Sequence, residues 1–312
     1  MQEKIIHNKT LDLFFIKFPI IFPITYALIL FTFPSFENFL IFGTLILLAE
    51  PHFGATWPFL LNKLNHQKIL SEKINFIFIP IIIIILSLFL FIFSKNLLYL
   101  IFYFANFYHV TRQSSGVSKL FINKNNINEL KFHTFLIYFF GILFGFIGLI
   151  RFQFYNLIYL NVFYLNYLII LIIIALSTYY YFKFRNYKNI LLLLTGILIF
   201  YPVCFVNAPI HAIIMGVTMH YTQYLFITYK VTSGRLFEIN NNKTFNYLSF
   251  IIIISFYGII MGLLSISNTF TNATFGYLIA IPLIGQLLHF YYDSLLWKFS
   301  DEHNRKVTLK FI

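Results

Sequence analysis

The chain has 312 residues, 60% hydrophobic and only 10% charged, with a formal net charge of +12. A water-soluble domain of this length has no interior large enough for that apolar content, so composition excludes one and predicts an all-α, polytopic transmembrane bundle. The positive charge reads as membrane topology and contact with anionic lipid head groups, not as nucleic-acid binding, because lysines and arginines collect in short cytoplasmic loops.

The apolar runs predict about ten spans, at 18–33, 39–61, 74–93, 97–117, 132–150, 160–182, 189–206, 208–229, 247–266 and 274–297. They form one integral membrane domain over 1–312, with residues 1–17 as a short polar cytoplasmic tail. Basic residues test this reading. Lys4, Lys9 and Lys17 precede the first span; Lys63, Lys68 and Lys73 follow the second; Lys119, Lys124 and Lys131 follow the fourth. Lys183, Arg185 and Lys188 follow the sixth, Lys230, Arg235 and Lys243 the eighth, and Lys298, Arg305, Lys306 and Lys310 the tenth. The opposite connections hold only Lys95 and Arg151, so both termini are expected in the cytoplasm. The polar segments 62–73, 123–131 and 233–243 read as loops. The single cysteine, Cys204, excludes an internal disulfide.

Four histidines share one register. His52, His109, His220 and His289 each lie 9 to 11 positions before a basic residue, Lys63, Lys119, Lys230 and Lys298. All four sit on even-numbered spans. A helical rise of about 1.5 Å per residue puts each roughly 14–16 Å before its lysine, so the four occupy one membrane layer. Scattered structural histidines have no reason to share a depth. Imidazole suits iron, zinc, copper and nickel, and the lone cysteine removes a thiolate site. Fe(II) handling dioxygen on an apolar lipid is the expected chemistry, since catalytic zinc usually keeps three protein ligands and a water. The competing reading is that each histidine is an interhelical hydrogen-bonding contact. His211, after Pro209 and off the layer, is expected to be structural or to line an entrance.

Each of the four has a polar or aromatic residue at i+4, namely Thr56, Gln113, Tyr224 and Asp293, and Trp297 continues the last of these faces. Such residues are candidate outer partners of ligating imidazoles, with partners on neighbouring helices equally open. Asp293, Arg112 and Glu50 are the candidate catalytic groups, being charged at membrane depth. Glu50 lies two residues from His52 and points away from it on a regular helix, a geometry that Pro51 can distort. Gly54, Gly116 and Gly216 read as places of close helix approach.

PHFG at 51–54 and the last-helix pair His289 and Asp293 resemble the bacteriorhodopsin-related-protein family of membrane carotene dioxygenases. The resemblance covers four short islands. It implies a bacterial cytoplasmic-membrane protein, iron bound by His52, His109, His220 and His289, and dioxygen cleavage of a carotenoid such as β-carotene. The family's closely spaced histidine pair has no counterpart at His220, from which His211 is nine residues away. Three other classes fit the same residues: a haem protein with two axial histidines, a proton-coupled or lipid transporter lined by Glu50, Arg112 and Asp293, and an acyltransferase with one histidine as base.

Overall fold

The structure, a computed structural model, describes residues 6–122, 126–153, 162–240, 243–265 and 275–312. Among these residues every element is helical and no strand is present. Lys124 and the residues after Gln153 in the expected fifth connection lie outside the described residues. In chain order the main helices are α1 (Lys9–Lys17), α2 (Ile21–Thr32), α3 (Pro34–Leu60), α4 (Lys63–Ser71) and α5 (Ile74–Phe93). They continue as α6 (Lys95–Phe121), α7 (Ile127–Gln153), α8 (Val162–Phe184) and α9 (Tyr187–Leu198). The last are α10 (Pro209–Asn240), α11 (Lys243–Ser265), α12 (Ala280–Leu296) and α13 (Glu302–Thr308).

The described parts of the expected spans are largely helical, although the span at 189–206 is helical as α9 only to Leu198 and residues 160–161, 266 and 274 lie outside the described residues. Among the described residues, however, only five helices are long and apolar enough to cross a membrane, or six if the bent pair α1 and α2 counts as one span. The five are α3, α5, α7, α8 and α11. Those that fall short include α6, α10 and α12, the carriers of His109, His220 and His289. The first two are diluted by the polar residues around their histidines, and the third is only 17 residues long. Most of α5, α8 and α11 is exposed, through side chains such as Ile82, Ile85, Leu171, Ile174, Ile252 and Phe256. Apolar faces of this kind on each helix suit hydrocarbon rather than water.

The chain divides into two compact units, each built from two stretches of sequence. One comprises 1–37 and 107–223, the other 38–106 and 224–312. In the first unit, residues 6–17 are not a free tail; 1–5 lie outside the described residues. Leu11, Leu13 and Ile16 give the stretch an apolar content that a tail lacks, and it folds as α1. Asp12 is buried and accepts from the Ile6 and His7 amides at 2.6 and 3.0 Å. Thr195 Oγ1 donates to Lys17 O at 2.7 Å and Gln223 Nε2 to Ile16 O at 2.5 Å. In α10, Gly216 meets the turn after α9, where a Cβ would fall 1.8 Å from Ile199 O, so only glycine fits. Gly116 has nothing within 4 Å of a built Cβ and so does not serve close approach, contrary to expectation.

In the second unit, α12 buries Leu283, Ile284, Leu288 and Leu296 with Phe59, Phe76, Phe91, Leu98 and Val231. Two expected loops are helices here. Asn62 caps α4 by accepting from Leu64 N at 3.0 Å, and no glycine or proline interrupts the helix over Lys63–Ser71. Residues 233–240 continue α10 because Arg235 is a buried anchor. Its guanidinium donates to Val307 O at 2.8 Å, Thr308 Oγ1 at 2.6 Å and Phe59 O at 3.2 Å, and lies over the Phe59 ring. The C-terminal segment forms α13, capped by Asp301, which accepts from Asn304 N at 3.0 Å.

Candidate functional site

Two histidine pairs stand out, one within each unit. In the second unit α3 is broken by a π-turn at Leu45–Ala49 and then by Pro51, and this break carries Glu50 and His52 into the buried interior. His52 lies edge-on against His289 of α12, with ring centroids 4.4 Å apart, and against Tyr224 of α10 at 4.5 Å. Phe53 closes the other side of His289 at 5.1 Å.

Below this pair a hydrogen-bonded cluster is fully buried. Thr56 Oγ1 lies 2.6 Å from His289 Nδ1, 3.0 Å from the Tyr224 hydroxyl and 3.1 Å from Asp293 Oδ1. Tyr224 donates to Asp293 Oδ1 at 2.8 Å. With Asp293 ionised, the hydroxyl protons assign the roles. Thr56 and Tyr224 each own one hydroxyl proton, and each directs it to the Asp293 carboxylate, which has none to give. Thr56 oxygen is then left to accept, so His289 Nδ1 carries the hydrogen and donates to it. That tautomer places the imidazole lone pair on Nε2. Asp293 Oδ2 lies 3.7 Å from this nitrogen, beyond hydrogen-bonding distance. A metal-ligating histidine is usually held this way, by a neighbour that takes its other N–H, so the donor set fits a metal bound through Nε2.

The partner scheme read from i+4 spacing changes here. Thr56 serves His289 across helices rather than His52 one turn back. Asp293 reaches His289 Nδ1 through Thr56, and its Oδ2 also approaches Nε2 at 3.7 Å. Trp297 stacks on Phe59 at 5.1 Å and meets the Tyr224 ring edge-on at 6.0 Å, forming an aromatic floor. Glu50 and His52 have different neighbours, as their spacing predicts. Glu50 Oε1 accepts from Gln286 Nε2 at 2.9 Å and from Ser265 Oγ at 3.3 Å.

In the first unit, His109 of α6 and His220 of α10 are both buried. Their rings stand edge-to-face at 89° with centroids 5.6 Å apart. Thr111 beside them fills the notch at Gly141 of α7, where a Cβ would come within 2.4 Å of its hydroxyl. Arg112 and Gln113 are half-buried on the turn of α6 that follows His109.

Three polar clusters escaped the sequence reading. Glu37, His211 and Tyr26 form a chain, His211 Nε2 being 2.8 Å from Glu37 Oε1 and Nδ1 2.7 Å from the Tyr26 hydroxyl. Pro209 at the start of α10 hinted at a fixed position for His211, but its partners are 185 and 174 residues away. Glu129 is buried at the start of α7 and accepts from Tyr180, from Asn189 Nδ2 at 2.6 Å and from Asn126 Nδ2 at 2.5 Å. His133 follows one turn later, edge-on to Tyr180 at 5.2 Å. Arg151, expected as an external loop charge, is buried and binds the Val203 and Val206 carbonyls.

No protein-family model, no curated protein and no solved structure matches this chain.

Proposed function

We propose that this chain is an integral membrane oxygenase that uses dioxygen on an apolar lipid or carotenoid. Its iron is held by histidines of the set His52, His109, His220 and His289. The ten-span topology, cytoplasmic termini and a place in a bacterial cytoplasmic membrane belong to the same proposal. The observation that carries it is the His289 cluster. A buried imidazole sets its Nδ1 2.6 Å from Thr56 Oγ1, and Thr56 in turn donates to a carboxyl group. The shared register of the four histidines and the edge-on packing within each pair support it.

Iron(II), when bound, supplies the activation of dioxygen. The chain's own residues do the rest. Asp293, with Thr56 and Tyr224, holds His289 in orientation. Phe53, Tyr224 and Trp297 keep water from that centre, which strengthens every electrostatic interaction inside it. Arg112 and Gln113 mark the polar side of the layer next to His109. The exposed apolar faces of α5, α8 and α11 offer lateral access to a substrate dissolved in lipid.

The test is expression in a carotenoid-producing host under ¹⁸O₂. Label in a cleaved or hydroxylated product, absent with His289→Ala, is expected. An unchanged carotenoid and lipid profile in wild type would overturn the reading. A proton-coupled or lipid transporter is the second reading, favoured by one observation, the buried carboxylates of Glu50 and Asp293. Metal-independent, pH-driven uptake into proteoliposomes would decide for it.

A further inference from the structure

The break in α3 exposes more than a histidine. The π-turn sends the Glu50 N–H back to Leu45 O, and Pro51 has no N–H to offer Ile46 O. Ile46 O thereby loses its helical donor. It faces α11 at Gly258, where a Cβ would lie 2.9 Å from it. The Glu50 side chain leaves the same turn and is wholly buried. Its Oε1 accepts from two neutral groups, Gln286 and Ser265. Its Oε2 is buried and has no hydrogen-bond partner among the described residues.

A carboxylate so placed is costly unless a cation or a proton meets it. The oxygen donors of the turn are hard ones, the second carboxylate oxygen, the Ser265 hydroxyl and the freed Ile46 carbonyl, while Gln286 offers its amide nitrogen and only anchors Oε1. Broken membrane helices that free backbone carbonyls beside such groups are a recurrent way of holding sodium. A single carboxylate balances a single positive charge, whereas a divalent ion would leave one charge over in an apolar interior. We infer that Glu50 is the charged ligand of a monovalent-cation site for sodium, built at the α3 break between α11 and α12. This goes beyond the oxygenase reading and does not depend on it, since His52 turns to Tyr224 and His289 instead.

The experiment is thermal unfolding of the full-length protein in detergent at fixed pH and ionic strength, in sodium, potassium or choline chloride. Sodium is expected to raise the wild-type midpoint by several degrees in a saturable way, as any ligand of the native state does. That rise should vanish in Glu50→Gln and persist in Glu37→Gln. Equal wild-type midpoints in the three salts overturn the site and leave Glu50 protonated. A sodium effect that survives Glu50→Gln also overturns it. Should Glu50→Gln fail to fold, equilibrium dialysis with ²²Na⁺ decides. One sodium per wild-type chain, bound at least tenfold more weakly by Ser265→Ala, supports the site, and no bound sodium overturns it. Iron content read on the same samples keeps this outcome separate from that of the oxygenase reading.

Discussion

Thr56 is the residue on which the His289 cluster turns, because its one hydroxyl both accepts from the imidazole and donates to Asp293. Thr56→Val keeps the shape and removes both bonds. The loss of a buried partner should cost about 1–3 kcal/mol in unfolding free energy and weaken metal affinity about 10–100-fold. Thr56→Ser should retain most of both, as read by denaturant unfolding and metal titration. The pairs His52 with His289 and His109 with His220 join residues that spacing along the chain had already singled out. The bond from Thr56 to His289 was not legible in the sequence, since its partners are 233 residues apart and nothing local encodes rotation about a helix axis. The Glu37, His211 and Tyr26 chain was hidden for the same reason.

At the level of elements, glycine content alone misleads. Gly216→Ala pushes a methyl into Ile199 O and should destabilise by about 3 kcal/mol or more. Gly116→Ala meets nothing and should be neutral or stabilising by up to about 1 kcal/mol through helix propensity. Thermal midpoints of the two variants in detergent test the contrast. Hydropathy placed the apolar helices, yet it described α4 and the end of α10 as loops. Polarity was the wrong criterion there: Asn62 supplies a cap, and Arg235, which looks like a loop charge, is a buried clamp on α13 and α3. The same polar residues that make α6 and α10 too wet to pass as spans are the ones that carry the histidines.

For the molecule as a whole, the polar end of the second unit sets a pH dependence. Lys68 is buried and pairs with Asp301 Oδ2 at 2.6 Å. Burial alone would raise the Asp301 carboxyl, but the hydrogen bond and charge of Lys68 outweigh it and hold the group below its usual range. A depressed carboxyl stabilises the fold above the unfolded value of about 3.9 and loses that contribution as pH falls through the folded one. Asp301→Asn keeps the α13 cap and should be less stable than wild type at neutral pH, with the difference closing as pH falls through the depressed folded value; urea unfolding against pH reads this. The proposed activity rests on a histidine-bound metal. Elemental mass spectrometry of the purified protein, wild type beside His52→Ala, His109→Ala, His220→Ala and His289→Ala, tests that most directly. Near-stoichiometric iron in wild type, falling in the folded variants, is the predicted result. Metal-free wild type, active and folded, would contradict it and leave the four histidines as polar contacts between helices.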